Sequence, residues 1–446
     1  MQIRNLLIAA ALLAILAGGV WWSNKEKKAE ENKPSADASP KILTIPEDQM
    51  TQLEIRKRDA PPVVLKKQGD KWMLTEPKPL PTDAGTVGSL TSTLSSLASD
   101  RLVEDKAADL APYGLNNPSL QVSITRKDGK TEKLLIGDET PTGGNFYAKS
   151  AADPRVFTIA SWNKTSLDKT PRDLRDKRLL TFNSEKLTGV EVRAKGQDFG
   201  FAKNNQNEWQ IVKPKPLRAD NGQVEDLVRK LTDAKIDTIV TEDEDAKANT
   251  QFASAALVGT ALVTDNSGTQ QIEVRKDKDN HYLARSSVVE GAHRLSGDLG
   301  TALDKNLDSF RNKKLFDFGF NDPNKVDLKD GAKAYAFQKS GEKWLAAGKE
   351  MNAASVQTLI DKLRDLTSSK FVDAGFATPM LEITVTSNDG KRTEKVLVSK
   401  SGINYIAKRD NEPALYQLDA SAVEAIQKDA ADIKEAPPPP KDAKKK

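Results

Sequence analysis

Short stretches of this chain alternate apolar and polar residues, and each group of such stretches leads into a helical stripe. "LEIRKR" (53–58) and "VVLKKQGDKWML" (63–74) alternate as half-buried strands do, and Gly69-Asp70 predicts a hairpin turn within the second. Further on, apolar residues recur at the i, i+3, i+7 and i+10 spacing of one helix face: Val87, Leu90, Leu94 and Leu97. A helix with one apolar face and a polar back is expected to pack on a sheet.

The same pattern occurs three times. "DKWMLTEPKPLPTDAGTVGSL" (70–90) returns as "NEWQIVKPKPLRADNGQVEDL" (207–227), so Trp72 and Trp209 lie 137 positions apart, and Trp344 follows 135 positions later. The helical stripe returns in both later copies: Val224, Leu227, Val228 and Leu231, then Val356, Leu359, Leu363 and Leu366. A period of about 136 residues is too long for a solenoid unit, so each copy is expected to fold as a domain-sized module.

Each module is predicted to be α+β, an antiparallel sheet with helices on one side, in the order ββ(β)-α-ββββ-α. A polar entry precedes the helix, and Asp128-Gly129 and Asp389-Gly390 mark hairpins after it. The module is expected to close on a basic amphipathic helix, "SLDKTPRDLRDKRLL" (166–180). The three tryptophans occupy one strand position and are interpreted as structural anchors between sheet and helix.

The first residues predict a membrane anchor. Leu6 to Trp22, "LLIAAALLAILAGGVWW", is apolar and free of charge, at the short end of what spans a bilayer. A cleaved signal peptide is the alternative, although two tryptophans make a poor small-residue cleavage site. The predicted organisation is a cytoplasmic N-terminus (1–5), a transmembrane anchor (6–22), a linker (23–40), modules at 41–178, 179–314 and 315–433, and a disordered Pro/Lys-rich tail (434–446). The N-terminus is expected inside and the body outside a bacterial inner membrane.

Composition narrows the function classes. The 446 residues are 37% hydrophobic and 30% charged, with 68 basic and 64 acidic side chains, which fits a soluble body with a solvated surface. With no long basic block in the body, no nucleic-acid partner is expected. The chain contains no cysteine, which excludes disulfides, thiol catalysis and cysteine-ligated metals.

Candidate catalytic groups are few. His281 and His293 are the histidines, no G-x-S-x-G elbow accompanies them, and no compact set of histidines and carboxylates suggests a metal site. Gly129-Lys130-Thr131 falls in a hairpin rather than before a helix, against a P-loop. "TEDEDAK" (241–247) is interpreted as a solvated acidic loop rather than a calcium site. A pair of carboxylates meeting in space stays open. No cofactor, metal or catalytic residue is predicted.

The boundaries between modules are rich in basic residues that are candidates for partner docking. They are Arg172, Arg175, Lys177 and Arg178 at the first junction, and Arg311, Lys313 and Lys314 at the second. A salt-bridged linker helix that sets the angle between modules is the alternative interpretation of the same residues.

Several of these features together resemble a known family. The tryptophan followed by proline and an aspartate before the helix, "YGLNNP" before strands, and "LRDKRLL" at the junction are similar to the bacterial family named domain of unknown function 4340. Arg175, Asp176 and Lys177 carry much of the similarity, and the second junction departs from it. The resemblance implies one N-terminal span, tandem copies and an accessory role beside an ABC-type export permease, and it supplies no catalytic residue.

Three functions are therefore compared. The favoured one is a non-catalytic, membrane-anchored interaction protein, an accessory subunit of an ABC-type export or cell-envelope complex with a permease as partner. The second is a binding module for an envelope glycan or a lipid-linked substrate, whose repeats would add avidity. The third is a hydrolase with an unrecognised carboxylate pair.

Overall fold

A computed structural model of the chain describes residues 40–239, 242–320 and 323–437. The predicted anchor at Leu6 to Trp22, nearly all of the predicted linker, and residues 438–446 of the predicted tail lie outside the described residues. Within the described ranges, no helix combines the length and apolarity needed to cross a bilayer. The chain forms two compact units that divide between Lys177 and Arg178.

The first unit contains one antiparallel sheet of nine strands in the order β4-β3-β2-β1-β6-β7-β8-β9-β5. The strands are β1 (Met50–Lys57), β2 (Val63–Gln68), β3 (Lys71–Glu76), β4 (Leu80–Pro81), β5 (Arg101–Glu104), β6 (Leu120–Arg126), β7 (Thr131–Glu139), β8 (Asn145–Ser150) and β9 (Val156–Ala160). Its helices are α1 (Ala84–Ser95), α2 (Ser161–Leu167) and α3 (Pro171–Leu174), with 3-10 turns at Glu47–Gln49 and Ala111–Tyr113.

The second unit contains two further nine-stranded sheets with the same strand order as the first. The second module consists of β10 (Gly189–Ala194), β11 (Gln197–Lys203), β12 (Trp209–Lys213), β13 (Leu217–Arg218), α4 (Asn221–Thr232), β14 (Lys235–Ile236), α5 (Glu242–Ser254), β15 (Ala256–Asp265), β16 (Gly268–Lys276), β17 (Tyr282–Ser286), β18 (Ala292–Ser296) and α6 (Leu299–Leu303), with 3-10 turns at Ser184–Lys186 and Leu307–Phe310. The third consists of β19 (Lys325–Asp330), β20 (Lys333–Ser340), β21 (Lys343–Ala346), β22 (Lys349–Glu350), α7 (Ala353–Asp365), β23 (Lys370–Val372), β24 (Leu381–Ser387), β25 (Arg392–Ser401), β26 (Asn404–Arg409), β27 (Leu415–Leu418) and α8 (Ala420–Asp432).

The α+β class and the repeated antiparallel sheet are confirmed, but the predicted strand count is too low. Each module has four strands before its first long helix, where two or three were predicted, and five strands after it, where four were predicted. The additional strand after the helix is the short one that directly follows it, β5 in the first module. The missed strand β4 is two residues long and ends at Pro81, which has no N–H to extend the ladder. Because β4 and β5 form opposite edges of the sheet, α1 must cross the sheet between them.

The first long helix of each module forms where the apolar stripe predicts it. In the first module, the Asp83 side chain caps α1 by accepting the Thr86 N–H at 2.7 Å. Val87, Leu90 and Leu94 are at most 1% exposed, and burying such a side chain contributes about 1.5–3 kcal/mol. Asp220 and Asn352 cap the equivalent helices in the same way. Leu97, predicted in the stripe, is buried but lies beyond the helix end.

The predicted amphipathic helix at the end of the first module is wrong. The segment consists of α2, then the short α3 that Thr170 caps and Pro171 begins, and then an extended stretch. Proline at the first helical position starts a new helix, so it separates α3 from α2. Leu174 is fully buried, and Arg175 pairs as an isolated β-bridge with Thr82.

This extended stretch holds the start of the helix in every module. In the first module, the Asp83 N–H donates to the Leu174 carbonyl at 2.8 Å and the Asp176 N–H donates to the Pro81 carbonyl at 2.8 Å. The equivalent bonds are Asp220 to Phe310 and Asn312 to Arg218 in the second module, then Asn352 to Lys434 and Ala436 to Glu350 in the third. The sequence "LRDK" (174–177) therefore closes its own module by pairing with the residues before the helix.

The incoming chain holds the other end of the same helix. The N–H groups of Ile42, Leu179 and Leu315 donate to carbonyls just after the helix, at 2.8, 2.8 and 3.0 Å. All three side chains are buried. The entering and leaving segments of each module therefore hold the two ends of one helix.

One carboxylate predicts how the second module responds to acid. Asp265 lies at the turn between β15 and β16, where it accepts the Ser267 hydroxyl at 2.6 Å, the Asn183 N–H at 2.7 Å and the Ser267 N–H at 2.8 Å. These bonds, the Ser267 hydroxyl foremost, lower the pKa of Asp265 from 3.8 to about 2. Because the folded-state pKa is the lower one, this stabilisation is present above about pH 4 and lost as the pH falls toward about 2.

We therefore expect Asp265→Asn to be less stable than the parent protein at about pH 5, and the difference to shrink as the pH approaches about 2.5. Urea denaturation of both proteins across this range measures the difference. A gap that stayed constant with pH would contradict this account of Asp265.

Candidate functional site

A polar cavity of about 470 Å³ opens where the second and third modules meet, inside the second compact unit. The buried cores of these two modules form one continuous cluster. The charged residues that line the cavity come from both modules: Glu208, Arg218, Lys314, Asp317, Arg392 and Arg409.

Arg218 connects the two modules directly. It stands on β13, and its side chain pairs with Asp317 and donates to the Lys314 carbonyl. Its Nε lies 3.2 Å from Oε1 of Glu412, and its Nη2 lies 3.2 Å from the Tyr416 hydroxyl. The side chain is 21% exposed, so these contacts form in a largely dehydrated setting.

Arg409 continues the network within the third module. Its side chain is only 5% exposed, with Nη2 at 3.1 Å from Glu394 and Nε at 3.0 Å from Glu412. Its Nη1 donates to the Leu315 carbonyl at 2.5 Å. Glu394 in turn accepts the Asp317 N–H at 2.9 Å. Together with Arg392, which pairs with Glu394 at 3.2 Å, these side chains form what we call the Arg218 network: Arg218, Arg392, Arg409, Asp317, Glu394, Glu412 and Tyr416.

Burial and neighbouring charges shift the pKa values of Arg218 and Tyr416. Burial alone lowers the pKa of Arg218, but Asp317, Tyr416 and Glu412 outweigh burial and raise that pKa. Burial, with Glu412 adding to it and Arg218 opposing it, raises the pKa of Tyr416 to about 12. Tyr416 is therefore a neutral phenol near neutral pH, donating its proton to Glu412 at 2.8 Å.

The network is particular to this junction. The position of Arg218 is occupied by Pro81 in the first module, as the aligned stretches "PLRAD" and "PLPTD" show. The Asp317–Glu394 pair corresponds to a neutral pair in the second module, where the Thr181 N–H donates to Gln270 at 2.8 Å. Three guanidinium groups and three carboxylates balance in charge, an arrangement suited to holding the third module against the second.

The candidate docking residues of the first junction are partly engaged in their own module. Lys177 donates its ammonium to the Asp173 carbonyl at 2.8 Å. Arg172 and Arg175 are half-buried, whereas Arg178 is exposed. Since Arg175 lies in the extended stretch that closes the module, the alternative of a salt-bridged linker helix is wrong here.

The second junction separates its basic residues into two kinds. Arg311 is 15% exposed, pairs with Asp308 at 3.0 Å and stacks 3.4 Å from the ring centre of Phe371 in the third module. Lys313 and Lys314 are exposed. Arg311 therefore contributes to the contact between modules, and the two lysines offer charge to the solvent.

The three tryptophans lie at equivalent strand positions, opposite Lys67, Lys203 and Lys339. Trp209 and Trp344 are 4% and 5% exposed and belong to the core of the second unit. Trp72 is half-buried and packs against the core of the first.

His281 has neighbours that the sequence did not suggest. A ring nitrogen of His281 and carboxylate oxygens of Asp277 and Asp279 lie within 4.8 Å of one another, in the turn before β17. The prediction that no compact set of histidines and carboxylates exists is therefore wrong. Asp277 is already engaged, because it accepts the backbone N–H groups of Asp279 and His281 at 2.9 and 2.8 Å. The set therefore suits a closed turn better than an ion.

His293 contacts the acidic stretch, a contact that the sequence did not predict. The prediction of a loop for "TEDEDAK" is wrong from Glu242 onward, because Glu242–Ser254 form α5. Asp245 of α5 lies 3.1 Å from Nδ1 of His293, and the Glu290 carbonyl lies 3.0 Å from Nε2. The contact between Asp245 and His293 therefore links α5 to β18.

The sequence contained one usable sign of the Arg218 network. Arg218 directly follows "PKPL", which the first two copies share, and stands where the first copy has Pro81. Its partners Asp317 and Glu412 lie 99 and 194 positions away, beyond the reach of periodicity or local spacing. A comparison of the copies would have included Arg218 among several charged departures, such as Lys213 in place of Glu76, and would not have found its partners.

Comparison with known proteins identifies the family of this chain. A family model described as a domain of unknown function (DUF4340) matches residues 72–253 and again residues 209–380, each match beginning at an equivalent tryptophan. Among curated proteins, no match is found. A solved structure of the DNA polymerase sliding clamp from Pseudomonas aeruginosa with ligand is similar at 9% identity, over 84% of this chain and 93% of that chain, with a TM-score of 0.13. That score carries no argument about fold or function.

Proposed function

This chain belongs to the domain of unknown function 4340 family, and we propose that it is a non-catalytic, membrane-anchored interaction protein with its body outside the cytoplasm. In this proposal Leu6 to Trp22 holds it in a bacterial inner membrane. It serves there as an accessory subunit of an ABC-type export or cell-envelope complex. The choice of an ABC-type permease as partner comes from the family resemblance.

The Arg218 network is the observation that carries the proposal. It joins two nine-stranded sheets across a charge-balanced contact, with a shared core beneath it. A partner that binds two modules already fixed against each other pays less ordering entropy than one that binds modules free to turn. Exposed Lys313 and Lys314 stand at this junction, where they can meet an acidic surface on a partner.

Charge reversal at the junction tests the proposal. The tagged full-length protein is purified in mild detergent from its own membranes as the parent, as Lys313→Glu/Lys314→Glu, and as Lys333→Glu/Lys391→Glu. The last variant makes the same charge change at two exposed residues of the third module, one at the start of β20 and one in the turn before β25. Mass spectrometry then quantifies the proteins recovered with each.

We expect a permease or nucleotide-binding subunit to accompany the parent and the control variant, and its recovery to fall at least about tenfold with the junction variant, a loss of about 1.4 kcal/mol. Recovery of the parent protein without any membrane partner would contradict the proposal. An equal loss in both variants would place the docking surface elsewhere.

A further inference from the structure

A groove of about 380 Å³ lies on the first module, next to the start of α2 and the end of α1. Its lining combines one large aromatic side chain with hydroxyl, amide and carboxylate groups: Ser92, Ser96, Ser99, Asp100, Trp162 and Asn163. No Lys or Arg is among the residues that line it. Pockets for apolar ligands are lined mainly by apolar side chains, so a mostly polar lining with one aromatic platform favours a ligand rich in polar groups.

Trp162 is the platform. Its side chain is 66% exposed, whereas Trp209 and Trp344 are 4% and 5% exposed. By the shift that aligns "DKTPRDL" with "DKNLDSF", its position in the second module is occupied by Asp298. The module fold therefore does not need an aromatic residue there. A solvated indole beside polar groups has a face available for stacking.

Asn163 supplies a second, independent observation. It is 5% exposed, lines the groove, and makes no hydrogen bond through its side chain within the part of the chain that the structure describes. The amide atoms are not sealed from solvent, so their hydrogen-bonding capacity is open to a ligand in the groove. The equivalent residue of the second module is Leu299, at 1% exposure, so an apolar side chain fills this position elsewhere in the same fold.

The rim provides further polar groups. Ser92, Ser96 and Asp100 are exposed around the groove, while Ser99 is committed to the Pro40 carbonyl at 2.9 Å. An anionic ligand such as a phosphate headgroup would meet the Asp100 carboxylate without a lining cation to offset it. A neutral ligand with many hydroxyl groups would instead find both donors and acceptors.

We propose that this groove binds a saccharide. The apolar face of one pyranose ring stacks on the Trp162 indole, and its hydroxyl groups bond to the Asn163 amide and the Asp100 carboxylate. The site lies wholly in the first module, so the proposal does not depend on the partner complex assigned to the second and third. A platform of this size predicts weak binding, with a dissociation constant of roughly 0.1–1 mM.

Titration of the full-length protein in detergent with chitotetraose and with maltotetraose tests the site by tryptophan fluorescence and calorimetry. Trp162→Ala removes the platform, and Asn163→Leu installs the residue of the second module without emptying the position. Ile403→Ala, which truncates an 86% exposed side chain on the third module, is the control. Thermal unfolding confirms that each variant is folded.

We expect at least one of the two saccharides to bind the parent and the control, and both groove variants to weaken it at least tenfold, about 1.4 kcal/mol. Binding that is equal in all four proteins would place the saccharide elsewhere and overturn the proposal. The absence of binding to either saccharide at millimolar concentration would also overturn it.

A lipid surface is the competing occupant of the groove. Reconstitution of the parent and Trp162→Ala into liposomes with brominated acyl chains distinguishes it. If bromine quenched a component of the parent's fluorescence that the variant lacks, Trp162 would insert into lipid, and the saccharide assignment would be wrong. Equal quenching of both proteins agrees with the saccharide assignment.

Discussion

Replacing Arg218 by alanine is expected to lower the free energy of unfolding of the second compact unit by about 3 kcal/mol. The substitution leaves the three carboxylates of the Arg218 network with only two guanidinium groups, those of Arg392 and Arg409, so one buried negative charge is no longer balanced. A carboxylate kept from water without its cation is far more costly than the intact pair is favourable. Hydrogen exchange of the full-length protein in denaturant measures the two units separately.

Arg193→Ala is the matched control, because Arg193 pairs with Asp198 at 2.7 Å on an exposed sheet face, with 70% of its side chain in solvent. An exposed pair of this kind contributes little. We expect faster exchange throughout the junction in Arg218→Ala and none of that change in Arg193→Ala. Equal effects of the two substitutions would mean that the Arg218 network does not hold the modules together.

Trp209→Ala is expected to cost about 3–5 kcal/mol, the range for removing a buried large aromatic side chain. Trp209 is 4% exposed, and the centre of its ring lies 5.2 Å from the Lys203 ammonium. Its backbone N–H donates to the Asn221 side chain at the start of α4, a bond that the alanine variant keeps. The cavity left behind would lie between the sheet and that helix. Chemical denaturation followed by hydrogen exchange reports the loss in the second unit.

The other tryptophans provide a graded comparison. Trp344→Ala should be as costly as Trp209→Ala, Trp72→Ala less costly because Trp72 is half-buried, and Trp162→Ala nearly neutral because that side chain is 66% exposed. Equal losses at all four positions would show that burial does not determine the effect, against the assignment of Trp209 as a core anchor.

Much of the module could be predicted because its signals are local. The stripe of Val87, Leu90 and Leu94 predicts a helix, since only one face of it meets the sheet. The alternation from Leu53 to Ile55 predicts a strand with one buried face, and both residues are fully buried. Repetition strengthened each inference, because three copies of a pattern leave little room for chance.

The features that the sequence did not predict depend on very short strands or on contacts between residues far apart in the chain. A strand of two residues, such as Leu80–Pro81, has no periodicity to detect. The segment with Arg175 contains helix-favouring residues, but tertiary pairing with Thr82 extends it. The Arg218 network depends on residues that only the folded chain brings together. Trp162 gave no signal, because exposure of a lone aromatic residue cannot be read from spacing.

The most direct test of the central claim, that the chain presents the junction of its second and third modules to a membrane partner, is site-specific photo-crosslinking in native membranes. A photoreactive residue in place of Lys313 is compared with one in place of Lys391, an exposed turn residue of the third module. The account predicts an adduct with an integral membrane subunit from position 313 and none from position 391. No adduct at 313, or equal adducts at both positions, would contradict it.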